Sequence, residues 1–227
     1  MPEQTALYAE HILARRDALP LKPAPVVLEG RFVRLIPLDL DRDVETLFRV
    51  SNGSAITLGK RAVPEYDADA LIWRWMFAGP FGSAGELREH LQAQVNAANG
   101  LPYTVFDLAS GSAVGVANYI NNAPKDLKIE LGSIWYGAIA QRTNANLEAT
   151  YLLLRQAFDL GYLRLEWKCD ARNERSRRSA LRMGFQFEGI QDAHMIVKNQ
   201  RRDTSWYRIL ADEWPGVKQH LEVLLQF

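Results

Sequence analysis

Apolar and polar positions alternate along this chain with two periods, and the switches between them predict the elements. In "RFVRLIPL", Val33 and Leu35 fall on one face of a strand, and "DRDVETLFRV" then reads as a helix. "LIWRWMFAGPFGSAGELREHLQAQV" is aromatic at first and ends in a second helix. "YTVFDL" and "AVGVANYI" flank the turn "ASGS" as a hairpin, with "LKIELGSIWY" a third strand. Leu147, Tyr151, Leu154 and Phe158 recur at helical spacing until Gly161, and "LRLEWKCD" follows as a strand. "NERSRRSALRMGF" begins at Asn173, a favoured N-cap, and stops at Gly184, which predicts a helix of about three turns. Two strands, "FQFEGIQDAHMIV" and "DTSWYRIL", complete the series. This order predicts an α+β fold around a mixed sheet. Upstream, residues 3–18 read as a helix carrying Leu7, Ile12 and Leu13, halted by Pro20, Pro23 and Pro25. Residues 1–25 are thus expected to be an arm and Pro-rich linker, and residues 26–227 one domain.

Composition narrows the function classes. The 227 residues are 48% apolar and 24% charged, ordinary globular values. Lys plus Arg and Asp plus Glu are equal at 27 each, so no overall positive field argues for nucleic acid. The lone Cys169 permits neither a disulfide within the chain nor a cysteine-based metal site, and no metal is expected. No secretory leader and no apolar run approaching about 18 residues is found, so a soluble, cytoplasmic protein without a membrane partner is expected, as a monomer or homodimer.

Two stretches carry candidate chemistry. The helix opening at Asn173 has free N–H groups and a positive dipole end near Arg172, Arg175, Arg177 and Arg178, which suits an anionic ligand; a capped surface helix with a solvated charged face is the alternative. Trp73, Trp75, Met76, Phe77 and Phe81 form either core or the wall of a substrate pocket.

Three motifs in order resemble the GNAT (Gcn5-related N-acetyltransferase) superfamily over about residues 26–215, and within it the branch of the ribosomal-protein N-terminal acetyltransferases. They are "QRTNAN" at the family's Q-x-x-G-x-G/A turn, "NERSRRSALRMGF" at its later helix, and "RDTSWYRILADEWP" at the final strand and Glu-Trp-Pro ending. The resemblance implies a mostly antiparallel sheet of about seven strands with a central splay and helices on both faces. It implies an acyl-CoA-dependent N-acyltransferase that moves acetyl from acetyl-CoA to a primary amine, on a peptide N-terminus or a small molecule, by direct attack. The donor would contact Ile134, Trp135, Tyr136, Gln141, Arg142, Thr143, Asn144, Ala145, Asn146, Asn173 and Ser176, and Trp73, Trp75, Phe77 and Phe81 would face the acceptor. Use of another acyl-CoA, or a catalytically silent acyl-CoA-binding or partner-binding module, are the alternatives.

The chain departs from the family pattern twice. Asn144 and Asn146 replace the loop glycines, and Asn is the other residue that tolerates left-handed backbone. Ala180 stands where many relatives have a tyrosine acid, which moves that role to Ser176. For the base, Glu130 lies eleven residues before Gln141, as in other GNAT branches, and strand alternation puts it on one face with Tyr136. His194 is its rival, and a water relay or mere positioning of the reactants the remaining option.

Overall fold

The computed structural model describes residues 7–227. Two helical turns, α1 (Glu10–Leu13) and α2 (Arg15–Ala18), stand where one helix was expected; residues 3–6 of that expectation lie outside the described residues. Neither turn has a side-chain cap, and Leu7 is 97% exposed, so the segment has neither the length nor the buried face that sustains a helix. It is nonetheless tied to the domain. Arg16 Nε donates to Lys125 O at 2.5 Å, and Asn122 Nδ2 donates to the carbonyls of Pro20 and Leu21 at 3.0 and 2.9 Å.

The strands are β1 (Leu28–Glu29), β2 (Val33–Pro37), β3 (Ile56–Leu58), β4 (Arg61–Val63), β5 (Leu101–Asp107), β6 (Ser112–Ala123), β7 (Lys128–Tyr136), β8 (Arg164–Asp170), β9 (Gln186–Val197) and β10 (Gln200–Leu210). Eight of them form one sheet in the order β1-β2-β5-β6-β7-β8-β10-β9, and β3 pairs with β4 alone. The sheet is therefore one strand larger than the seven expected, through the two-residue β1. Every neighbouring pair is antiparallel except β7 and β8. That exception follows from the crossover helix α5 (Ala145–Asp159), because a parallel pair needs a long connection.

Helices α3 (Leu40–Arg49) and α4 (Ala84–Asn96) lie on one face of the sheet and α5 on the other. Consecutive residues of β6 show it: Asn118 Nδ2 donates to Gln94 Oε1 on α4 at 2.8 Å, while the Tyr119 hydroxyl donates to Leu153 O on α5 at 2.5 Å. Asp39 caps α3 by accepting from the backbone of Asp41 and Arg42, and Ser83 caps α4 through Glu86 N–H. On α5, Glu148 is fully buried and accepts from three successive backbone N–H groups, those of Arg31, Phe32 and Val33, at 2.6–2.8 Å. Gly30 makes room for it, since a Cβ there would lie 2.4 Å from the carboxyl carbon.

The helix α6 (Glu174–Arg182) is capped as expected, Asn173 Oδ1 accepting from Ser176 N–H at 3.2 Å. Gly184 ends it at φ +91°, and Phe185 folds back with its N–H on Ala180 O at 3.1 Å. The chain closes with α7 (Trp214–Leu225), a helix that was not expected after the Glu-Trp-Pro sequence. Pro215 sits in its first turn, where a missing N–H costs nothing. Among the described residues no helix is long and apolar enough to cross a membrane.

Candidate active site

The paired β7 and β8 part company halfway. Their register runs from Lys128↔Arg164 to Leu131↔Trp167 and then ends, although both strands continue. A cavity of about 560 Å³ opens in this splay. Ile134, Trp135 and Tyr136 of β7 line it, with Gln141, Arg142, Thr143 and Asn146 at the start of α5 and Asn173 and Ser176 at the start of α6. The structure thus gathers most of the residues expected around an acyl donor. Asn144 and Ala145 are the exceptions: they do not line the cavity, and Ala145 is buried in the core.

The turn 141–146 differs from the expected one. Its left-handed residue is Arg142, at φ +61°, whereas Asn144 is right-handed at φ −76° and Asn146 lies within α5. The two asparagines therefore do not stand in for glycines by adopting a glycine-like backbone. Thr143 organises the turn instead, donating from Oγ1 to Ala140 O at 2.6 Å and accepting from Ala145 N–H at 3.2 Å. Asn146 Nδ2 reaches Ser179 Oγ on α6 at 3.2 Å. Among the described residues, the backbone N–H groups of Arg142, Thr143, Asn144, Asn146 and Leu147 have no protein acceptor. They lie at the positive end of a 15-residue helix, and those of Arg142, Thr143 and Asn146 belong to residues that line the cavity, donors suited to a pyrophosphate. Beyond Leu131, the edge of β7 facing the splay is likewise free to bond an extended amide chain. These features fit an acyl-CoA.

Ser176 sits at the other end of the cavity. Trp167 Nε1 donates to its Oγ at 3.0 Å, and its own backbone N–H is taken by Asn173, so the hydroxyl proton is left to point elsewhere. Ala180 is completely buried against the core, so a tyrosine would not fit there. Ser179 is a second hydroxyl on the cavity wall that sequence reasoning passed over. Cys169 is buried beside Ser176, and burial pushes its thiol pKa up.

Glu130 and Tyr136 do not share a face. Val116 pairs with Trp135 and Asn118 with Gly132, so Ser133 and Ile134 together oppose Ala117 in a bulge, with Ser133 at φ +50°. The extra residue inverts the alternation and puts Glu130 on the α4 face with Trp135. There Glu130 is 3% exposed. Its Oε2 accepts from Lys168 Nζ at 2.6 Å and from Asn121 Nδ2 at 2.8 Å, while Oε1 has no partner among the described residues. A Cβ on Gly132 would lie 3.2 Å from that Oε1 and closer still to Ile120, so the oxygen packs beside a glycine that, with Lys168, Asn173 and Ser176, lines a smaller cavity of about 80 Å³. Burial raises the Glu130 pKa; Lys168 and Asn121 oppose the shift without cancelling it.

His194 is separated from β7 by β8 and β10 and lines neither cavity. Its Nδ1 pairs with Thr204 Oγ1 at 2.9 Å, and burial, then Lys168 and Arg202, lower its pKa. The expected aromatic wall also divides. Trp73 is core, wedged between Phe81 and Trp135 at centroid distances of 5.0 and 4.9 Å, with its indole N–H on Ser51 O. Phe81 packs on Trp73 and lines neither cavity, whereas Trp75 borders both and Phe77 the smaller one. The π-helical turn Asp69–Trp73 roofs the larger cavity, pinned by Arg175 Nη2 on the carbonyls of Ala70 and Leu71 at 3.1 and 3.0 Å.

Known proteins share this fold. The family model described as the acetyltransferase (GNAT) domain matches residues 33–186. A GCN5-related N-acetyltransferase from Brucella melitensis is 36% identical, with 90% of this chain and 87% of that one covered and a TM-score of 0.80. A probable acetyltransferase of the GNAT family from Chromobacterium violaceum is 31% identical, covering 95% and 98% at a TM-score of 0.80. An acetyl transferase from Salmonella typhimurium that modifies the N-terminal serine of a 50S ribosomal subunit protein shares the fold at 17% identity, covering 82% and 99% at a TM-score of 0.67. No curated protein matches the chain. With more than half its length matched and relatives above 30% identity across nearly all of it, the chain belongs to the GNAT family of acetyltransferases.

Proposed function

We propose that this protein transfers acetyl from acetyl-CoA to a primary amine by direct attack within the splay. The observation that carries the reading is the parting of β7 from β8 after Leu131↔Trp167, between a cradle of unpaired N–H groups and the Ser176 hydroxyl. The N–H groups of Arg142, Thr143 and Asn146 hold the pyrophosphate, and the free edge of β7 aligns the pantetheine. Acetyl-CoA supplies an activated carbonyl and a thiolate leaving group. The amine nitrogen bonds to that carbonyl carbon as the carbon–sulfur bond breaks. Ser176 donates its proton toward the departing sulfur while Trp167 holds its oxygen. Glu130 Oε1 takes the proton lost by the amine through water at Gly132, and Lys168 keeps the other oxygen fixed. Holding both reactants is the largest contribution, because effective molarities reach about 10⁵ M or more.

His194 is left out of the chemistry because it lies on β9, with β10 between it and the β8 wall of the splay, and borders neither cavity. Trp75 and Phe77 form the apolar side of the acceptor path. A neighbour of the same fold acts on a peptide N-terminus, which makes peptides one acceptor class to test beside small amines. Thiol release from acetyl-CoA with a panel of both, read by product mass, is the test. Tight CoA binding without release on any amine would leave a silent binding module and end the enzymatic reading.

A further inference from the structure

Arg202, on β10, is 6% exposed. Among the described residues its guanidinium has no hydrogen bond and no carboxylate within ion-pair distance, and its Nε is sealed from solvent without an acceptor. The face of Phe77 lies 4.8 Å away, and Asp170 and Glu130 support its charge only from beyond contact distance, without offsetting its burial. The nearest acid cannot serve. Asp170 is already engaged by Arg172, whose Nε and Nη2 reach its two oxygens at 3.0 and 2.9 Å. An unpaired cation this deep is destabilising, and proteins retain such groups where an anion completes them.

Its position says which anion. Arg202 borders the roughly 80 Å³ cavity that also holds Ser176 and Asn173, and a neighbouring one of about 220 Å³ lined by Trp75, Arg172 and Lys198 together with Asp170 and Asp69, with which those two cations pair. The first shares Trp75, Ile134, Trp167, Asn173 and Ser176 with the larger cavity, at the end of the splay where the acyl carbonyl would lie. We infer that Arg202 pairs with a carboxylate carried by the acceptor, a few bonds from the amine that is acylated. A planar fork of N–H donors matches a carboxylate bidentately, and Phe77 stacking fixes the plane of the fork. This rests on the acetyl-transfer reading above. The carboxylate belongs either to a free amino acid or to an acidic side chain next to a peptide N-terminus.

Matched acceptors test it: amino acids against their carboxamides, and peptides with acidic against neutral second residues, assayed with wild type, Arg202→Met and Arg202→Lys. The expected result is a preference of at least tenfold in kcat/KM for the carboxylate member of one of the two sets, the size of one charge-assisted hydrogen bond. Which set shows it identifies the source. Arg202→Met should abolish the preference, Arg202→Lys should keep part of it, and both should retain CoA affinity. Equal rates on both members of both sets overturn the inference while leaving the acetyltransferase intact. If no amine is acetylated, succinate calorimetry decides separately: a saturable heat that disappears in Arg202→Met keeps the carboxylate site, and no wild-type heat sinks it.

Discussion

Trp167 donates its indole N–H to Ser176 Oγ across the end of the splay at 3.0 Å, joining the last residue of β8 that pairs with β7 to the first turn of α6. Because that oxygen accepts one bond, its proton is directed away from Trp167, and the positive end of α6 favours charge developing near it. Ser176→Ala should therefore lower kcat about 10² to 10⁴-fold with little change in CoA affinity. Trp167→Phe removes the orienting bond but keeps the hydroxyl, so a smaller loss in kcat is expected. Steady-state kinetics beside calorimetry separate the two effects, and a loss below about threefold in Ser176→Ala would reduce the serine to a helix cap.

Asn146 offers a test in which binding and stability move in opposite directions. Asn146→Asp places a negative charge in the first turn of α5, which helix electrostatics favour by about 0.3–1 kcal/mol, and although Asn146 Nδ2 no longer donates to Ser179 Oγ, the new carboxylate can accept from that hydroxyl. The same charge opposes the pyrophosphate. The thermal midpoint should hold or rise while CoA affinity falls at least tenfold, and low salt should enlarge the loss. Unchanged affinity would move the pyrophosphate elsewhere.

Much of this architecture was legible because long elements repeat their apolar positions. Leu147, Tyr151 and Leu154 do face the core from α5, and Val33 and Leu35 do fill one face of β2. Legibility failed where geometry breaks a period or a side chain acts against its type. The bulge at Ser133 moved Glu130 to the opposite face from Tyr136, and no composition signal marks it. The hairpin of β3 and β4 has only three residues on each side of Gly59 and Lys60, too few for alternation to register. The apolar positions of α7, Leu221 and Leu225, lie beyond a sequence that resembled a strand ending. Arg202 reads as surface in "NQRRDT", and only its burial without a partner reveals it.

Glu148 should be among the costliest substitutions outside the site. Its carboxylate holds three backbone N–H groups at the start of β2 and is itself fully buried. Glu148→Gln keeps the volume but turns one acceptor into a donor facing N–H groups. Hydrogen bonds to a charged group contribute about 1.5–3 kcal/mol, so a loss of roughly 2–3 kcal/mol is expected, read as a lower urea midpoint with an unchanged slope. A change within about 0.5 kcal/mol would show that water satisfies these donors instead.

The pH profile tests Glu130. Its folded pKa is raised by burial, so the carboxyl stays protonated to a higher pH than an ordinary glutamate. A base must be deprotonated to act, so kcat/KM should climb with pH through a limb lying above the usual glutamate range. The linkage sign is the reverse of that for a salt-bridged acid with a depressed pKa. Because the folded state keeps this proton longer than the unfolded chain, stability drawn from it is present below the unfolded pKa and is lost as pH rises through the folded one. Glu130→Gln is nearly isosteric and can still bond Lys168, but cannot take a proton. It should lower turnover about 10² to 10⁴-fold, erase the low-pH limb and flatten that part of the stability profile, with CoA affinity retained. His194→Gln, made beside it, should keep the limb, since Thr204 and Trp206 hold the imidazole on β9, with β10 between it and the β8 wall of the splay. The opposite result, a limb kept by Glu130→Gln and lost in His194→Gln, would hand the proton to the imidazole.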